Sequence, residues 1–90
     1  MPRIYFDEYK LVNFVRRCRE RWPDFEVLKI VNKRSKQIIF IRLQGYNVKL
    51  IVHFDGRVQA FSRARGLAYA VKRVAARVLG VEEAGSSEEG

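Results

Sequence analysis

Aromatic and basic side chains recur at every second position in the middle of the sequence. Phe40 and Arg42 are two residues apart, as are Lys49 and Ile51, and Phe61 ends a similar run. Alternate residues of a β-strand lie on one face, so this spacing predicts a sheet face that combines rings with positive charges. Bases stack on aromatic rings at about 1–3 kcal/mol each, while Lys and Arg hold phosphates. The pattern is therefore typical of a surface for single-stranded nucleic acid.

The Asp55-Gly56 dipeptide, which predicts a β-hairpin, decides which residues share that face. A two-residue loop would place Arg57 on the same face as Val52. A type I turn followed by Gly56 as a left-handed bulge residue would place Val58 there instead. Burying an unpaired Arg costs several kcal/mol, far more than the roughly 1 kcal/mol that separates turn types. We predict the bulged hairpin, in which Val52 faces Val58 and Leu50 faces Ala60.

Aliphatic residues of the two long strands define the other face of the sheet. Pairing Ile38–Leu43 with Tyr46–Phe54 around Gly45-Tyr46 brings six aliphatic side chains to one face. Because an aliphatic face must be buried, we predict that it is the core. The expected pairs are Leu43 with Val48, Ile41 with Leu50, and Ile39 with Val52.

The remaining face, on this register, mixes aromatic, aliphatic and basic side chains. If Leu28 and Ile30 point to the core, the first strand adds Phe25, Val27 and Lys29 to it. We expect the phenylalanines to stack on bases, Val27 and Ile51 to line the cleft, and the basic residues to hold phosphates. The candidate nucleic-acid-binding residues, including the basic hairpin tip, are Phe25, Lys29, Lys33, Arg34, Lys36, Phe40, Arg42, Lys49, Ile51, His53, Arg57 and Phe61.

Two helices flank the predicted strands. Asp7 can cap a helix that runs from about residue 8 to residue 22, where Pro23 ends it. Ser62 can cap a last helix over about residues 63–79, and Gly80 can stop it.

The strands expected between these helices are Phe25–Val31, Ile38–Leu43, Tyr46–Phe54 and Val58–Phe61, with a basic loop over residues 32–37. We therefore predict a two-layer α+β fold in the order α-β-β-β-β-α. In it, a four-stranded antiparallel sheet is flanked by N- and C-terminal helices.

Charge is the most informative total. The chain has 18 Lys and Arg against 10 Asp and Glu, and four of the acids lie in residues 82–90. Residues 1–81 therefore hold 18 bases and 6 acids, a net +12. A compact domain with so large a positive charge attracts polyanions, and nucleic acid is the commonest of these. We expect a single domain over residues 1–81 and a disordered acidic tail over residues 82–90. The tail would compete weakly with nucleic acid or dock partner proteins.

Other classes of function find little support in the sequence. No apolar run approaches the roughly 18 residues of a membrane span, and the N-terminus has no apolar signal core. We therefore expect a cytoplasmic protein with no membrane partner. Cys18 is the single cysteine and His53 the single histidine, and the acids are scattered. We accordingly expect no disulfide, metal, cofactor or enzymatic activity, and Cys18 reads as a core residue.

Over about residues 5–80, the element order and the aromatic and basic sheet resemble the ThermoDBP type of single-stranded DNA-binding protein from thermophilic archaea. The resemblance implies four antiparallel strands flanked by helices, a basic surface and an apolar cleft for unpaired bases. It also implies a thermophilic archaeal protein that binds single-stranded DNA without sequence preference. That family continues into a C-terminal dimerising helix, where this chain has residues 82–90, so homodimerisation stays open.

Two other functions remain possible at this point. The α-β-β-β-α core is similar to double-stranded-RNA-binding domains, and the last helix could bind duplex RNA or a ribosome through Arg65, Lys72, Arg73 and Arg77. Alternatively, the open apolar face serves self-association as a protein-interaction module. The proposals that use the open face, single-strand binding and self-association, depend on both helices packing on the other face. If one helix covered each face, Phe40 and Ile51 would be core residues.

Overall fold

The computed structural model describes residues 3–81. Its elements are α1 (Glu8–Arg21), β1 (Glu26–Asn32), β2 (Lys36–Leu43), β3 (Tyr46–His53), β4 (Val58–Phe61) and α2 (Arg65–Leu79). The four strands form one antiparallel sheet in the order β1-β2-β3-β4. The predicted α+β fold with the order α-β-β-β-β-α is confirmed. The predicted acidic tail, residues 82–90, lies outside the described residues.

The N-terminal cap of α1 and the C-terminal ends of both helices agree with the sequence prediction. The Asp7 carboxylate accepts a hydrogen bond from the Lys10 N–H at 2.8 Å, which caps the first turn of α1. α1 stops at Arg21, just before Trp22-Pro23. Gly80 takes a left-handed φ of 75° and its N–H donates to carbonyls of the last turn of α2.

The start of α2 differs from the prediction. Ser62 does not cap the helix, because its hydroxyl accepts instead from the Ala64 N–H at 3.1 Å in a local turn. Ala64 occupies the N-cap position without any side-chain hydrogen bond, and α2 begins at Arg65. The helix is therefore two residues shorter than the predicted span of residues 63–79.

The register between β2 and β3 is two residues tighter than predicted. Leu43 pairs with Tyr46, Ile41 with Val48 and Ile39 with Leu50. Gln44 and Gly45 form the whole loop, and both have positive φ, 52° and 78°, as a type I′ hairpin turn requires. A shift of two residues preserves the side-chain alternation. The six aliphatic residues therefore still share the core face, and each is at most 1% exposed.

The β3–β4 hairpin has the predicted bulged turn. Gly56 adopts a φ of 108°, and its N–H donates to the His53 carbonyl at 2.9 Å. The His53 N–H in turn bonds the Arg57 carbonyl at 2.8 Å. Val52 pairs with Val58 and Leu50 with Ala60, so the prediction is confirmed pair by pair.

β1 contains an irregularity that the sequence analysis missed. Val27 pairs with Ile41 on the core face, whereas Lys29 pairs with Phe40 on the other face, so Leu28 is an extra, bulged residue. Leu28 is 51% exposed. A bulge reverses the alternation of every residue before it. The predictions that Leu28 points to the core and that Val27 lines the cleft are therefore wrong.

Phe25 is the other residue that the bulge relocates. It lies just before β1, is 1% exposed, and packs edge-on against the Phe14 ring with centroids 5.7 Å apart. Phe25 belongs to the core, and its predicted role in base stacking is wrong.

The β1–β2 loop is shorter than predicted, because Asn32 and Gln37 already pair and β2 begins at Lys36. The buried side-chain amide of Gln37 bonds the N–H of Phe6 at 2.9 Å and its carbonyl at 3.3 Å. It also donates to the Asn32 side chain at 3.1 Å. These bonds hold the segment before α1 against the core side of the sheet.

Both helices pack on the same face of the sheet. Phe14 and Cys18 of α1 and Val71 and Leu79 of α2 share one buried cluster with the six core aliphatic residues. Ile38 and Ile51, on the opposite face, are not part of it. Among residues 3–81 no helix covers that second face, which we call the open face. None of the helices in that part of the chain is long and apolar enough to cross a membrane.

Candidate nucleic-acid interface

Two rows of side chains cross the open face. The first, which we call the stacking row, runs from β1 to β4 as Lys29, Phe40, Lys49 and Phe61. The second, the aliphatic row, runs as Val31, Ile38, Ile51 and Gln59. Side chains directly opposite each other on paired strands have Cβ atoms about 4.5–5.5 Å apart. Along the stacking row, lysine side chains and phenylalanine rings therefore alternate at contact distance.

The two rings of the stacking row differ in accessibility. Phe61 lies on the edge strand β4 and is 52% exposed. Phe40 lies on a central strand and is half-buried, and the ammonium group of Lys29 is 5.7 Å from its ring centroid. This cation–π contact holds the lysine over the ring. Phe61 therefore offers the freer stacking surface, and Phe40 offers a ring that already carries a positive charge.

The aliphatic row forms an apolar floor beside the stacking row. Ile38 and Ile51 pair directly and are each 9% exposed although no helix lies over them. Their neighbours on the same face are longer basic and aromatic side chains, which stand perpendicular to the sheet and shield them. Side chains of the sheet itself, and no helix, therefore cover this floor.

On the open face, basic side chains outnumber acidic ones within the described chain. Between residues 3 and 81 the two ion pairs are Arg16–Glu20 at 3.5 Å and Arg57–Asp55 at 3.4 Å. The strands β1, β2 and β3 place four basic residues on the open face, and neither ion pair includes any of them. These residues are Lys29, Lys36, Arg42 and Lys49. Glu26, opposite Arg42, is the one acid that β1 contributes to this face. The electrostatic potential over the face is therefore positive.

One end of the sheet gathers further bases. The β1–β2 turn and the β3–β4 turn lie side by side there, because the Phe54 N–H donates to the Ser35 carbonyl at 3.0 Å. Lys33 and Arg34 are exposed in the first of these turns. Arg57, in the second, is partly engaged by Asp55. A hydrogen bond from the Arg57 backbone N–H lowers the pKa of that carboxyl group.

His53 is fixed at the same end of the open face. It pairs with Lys36, and its Nε2 atom lies 2.8 Å from the Gln59 side-chain oxygen. This hydrogen bond ties the imidazole to Gln59 of the aliphatic row. Among the described residues no cluster of three or more histidine, cysteine or acidic side chains could hold a metal ion.

The open face therefore brings together most of the predicted site. Lys29, Lys36, Phe40, Arg42, Lys49, Ile51, His53 and Phe61 share it, and Lys33, Arg34 and Arg57 rim one end. Phe25 is excluded. Sequence reasoning missed Leu28, which with Lys29, Phe40 and Asn47 lines a depression of about 500 Å³ beside the stacking row. Only the β1 bulge puts Leu28 there, and nothing in the local sequence marks that bulge.

Cys18 takes no part in this surface. It is fully buried, as predicted, and burial raises the pKa of its thiol to about 12. The side chain is therefore a neutral, inaccessible thiol that fills the core between α1 and the sheet.

No protein-family model, curated protein or solved structure matches this chain. The case for its function therefore rests on the geometry and charge of the open face.

Proposed function

We propose that this protein binds single-stranded nucleic acid on the open face, without chemical reaction and with little sequence preference. The observation that carries the proposal is the stacking row, which alternates Lys29, Phe40, Lys49 and Phe61 across all four strands. Unpaired bases need an accessible ring on which to stack, and their phosphates need a nearby cation. The row supplies both in turn.

The spacing of the row suits separate bases. Phe40 and Phe61 lie two strands apart, which corresponds to about 9–10 Å between their backbones. Phe61 can therefore take one base as it stands, and Phe40 can take another when the Lys29 side chain leaves its ring for a phosphate. Lys49, between the two rings, contacts the connecting phosphate. Ring stacking accepts any base, so little sequence preference is expected. A duplex fits less well, because its bases are already stacked on one another.

Charge argues against the competing proposal that the aliphatic row serves face-to-face self-association. Two copies that met through this face would bring Lys29, Lys36, Arg42 and Lys49 of one against those of the other. Like charges in apposition weaken such a contact. Sedimentation velocity without nucleic acid checks the point, and we expect the sedimentation coefficient of a monomer. A dimer that dissociates on Ile51→Lys substitution would favour self-association.

We propose that the natural ligand is single-stranded DNA. We also propose that the protein works in the cytoplasm of a thermophilic archaeon. Support for this part comes from the resemblance to the ThermoDBP type of protein, in element order and in the aromatic and basic sheet. The acidic residues 82–90 would act on the same basic surface. Removing them should then raise affinity at low salt, whereas unchanged affinity would exclude such competition.

Fluorescence anisotropy tests the proposal with labelled oligothymidine, oligouridine and duplexes of both kinds across a salt series. We expect the single strands to bind more tightly than the duplexes and to keep measurable affinity at high salt, because stacking does not depend on counterion release. Duplex binding that equals or exceeds single-strand binding, and that is lost with salt, would contradict the proposal.

The matched variants are Phe61→Ala and Tyr9→Ala. Both remove an exposed ring, but Tyr9 lies on α1, away from the open face, and is 87% exposed. Phe61→Ala should weaken oligothymidine binding by about 5- to 150-fold, the equivalent of about 1–3 kcal/mol for one stacked base. Tyr9→Ala should leave binding unchanged. Equal effects of the two substitutions would show that the ring on the open face has no special role.

A further inference from the structure

A second basic site lies in the helix layer, on the other side of the domain from the open face. A groove of about 290 Å³ runs between the end of α1 and one side of α2, lined by Arg21, Gly66, Tyr69, Ala70, Arg73, Val74 and Arg77. Three of the seven lining residues are arginines and none is acidic. All three arginines are exposed, and no ion pair among residues 3–81 involves them.

Aromatic rings hold two of these arginines in place. The Arg21 guanidinium lies 4.9 Å from the Trp22 ring centroid, and the Arg73 guanidinium lies 5.8 Å from that of Tyr69. Cation–π contacts restrict the side chains before any ligand arrives, so less conformational entropy is lost on binding. The planar fork of a guanidinium group also matches the oxygens of a phosphate.

Helix-end electrostatics account for only part of this cluster. Arg21 and Arg77 lie in the last turns of α1 and α2, where a cation is favoured by the helix dipole. Arg73 is not in a last turn, and nothing in helix stability requires arginines of two helices to converge on one groove. Three positive charges around one groove, with no acid in its lining, attract an anion.

We infer that this groove binds backbone phosphates of a second nucleic-acid segment, so that one domain holds two segments on opposite sides. Apart from Tyr69 the groove offers no exposed ring, and it therefore contacts phosphates rather than reading bases. The domain measures 37 × 32 × 21 Å, so its own thickness separates the two segments. The bridging role rests on the proposed function of the open face, whereas the groove itself does not.

A co-capture experiment tests the inference on the full chain. Oligothymidine is fixed to a surface and saturated with protein, and a labelled blunt-ended DNA duplex is then added. Wild-type protein should retain the duplex. The variant Arg73→Gln/Arg77→Gln should lose about tenfold or more of the retained duplex, because two phosphate contacts disappear. Its affinity for oligothymidine alone should be unchanged.

The control variant is Arg65→Gln/Lys72→Gln, which removes the same charge from the same helix. Neither residue lines the groove. It should retain most of the duplex, and thermal unfolding should show that both variants fold. Equal losses in the two variants would overturn the inference in favour of a diffuse charge effect. Full capture by the groove variant would also overturn it, since bridging would then run through two open faces of a dimer.

Failure of the proposed function gives a different result. If oligothymidine does not bind at all, duplex anisotropy with the same two variants still tests the groove. A greater loss of duplex affinity for Arg73→Gln/Arg77→Gln than for the control variant would then support the phosphate site in the groove but not the bridging role. Equal duplex affinities in the two variants would refute the site itself.

Discussion

The two faces of the sheet are made from alternating residues of the same strands, and both carry isoleucines. On the core face Ile39 and Ile41 are fully buried under two helices. On the open face Ile38 and Ile51 are 9% exposed with no helix above them. Charge separates the two faces. Among residues 3–81 the one buried polar side chain is Gln37, whose amide is hydrogen-bonded, whereas the open face carries four basic side chains on β1, β2 and β3. Aliphatic content therefore does not decide which face a helix covers, because burying unpaired lysines costs more than burying isoleucines gains.

The largest effect expected from this comparison concerns two phenylalanines. Phe25→Ala should lower the free energy of unfolding by about 3–5 kcal/mol, because a fully buried ring leaves a cavity in the core. Phe61→Ala should lower it by at most about 1 kcal/mol, since half of that ring is already exposed. Chemical denaturation measures both. Equal losses would mean that the Phe61 ring is as deeply buried in solution as that of Phe25.

A smaller effect is expected at the turn that assigns the residues of β4 to their faces. Gly56→Ala should cost about 1–2 kcal/mol of stability, because a φ of 108° is strained for any residue with a Cβ. The nearest side-chain atom to an added Cβ is 3.9 Å away, so crowding does not contribute.

Gly66→Ala is the control for that substitution. Gly66 is the second residue of α2, where an added methyl group meets nothing within 4 Å, and its replacement by Ala should raise stability by less than about 1 kcal/mol. The two thermal midpoints should therefore move in opposite directions. A neutral Gly56→Ala would show that position 56 does not need the left-handed conformation on which the bulged turn depends.

The smallest expected effect concerns a single charge on the open face. Lys49→Gln should reduce the slope of log affinity for oligothymidine against log salt by about 0.7, the value for one phosphate contact on a single strand. Lys10→Gln, on α1 outside the open face, should leave the slope unchanged. Anisotropy across a salt series gives both slopes. Equal slopes for the two variants would show that Lys49 contacts no phosphate.

Much of the fold can be predicted from local sequence patterns, because small errors in strand register leave the assignment of residues to faces unchanged. The predicted register of β2 and β3 is wrong by two residues, yet the faces are right, since alternation has a period of two. The β3–β4 turn is predictable because burying Arg57 is so unfavourable. The cap at Ser62 is not, because a serine hydroxyl bonds a local turn as readily as a helix.

The site is predictable where strands are regular and fails where they are not. Phe40, Lys49 and Phe61 fall on the open face as the alternation predicts. Phe25 does not, because the bulge at Leu28 carries neither glycine nor proline to mark it. The contribution of Arg21 to the groove depends on how α1 packs against α2, which no single helix pattern reveals.

The central claim is that unpaired bases contact the open face. It is tested most directly by nuclear magnetic resonance on isotope-labelled protein with oligothymidine at equal concentration. We expect intermolecular contacts between thymine protons and the ring protons of Phe61, with amide shifts along the stacking row. Contacts confined to the arginine groove of α1 and α2, with the sheet amides unmoved, would contradict it.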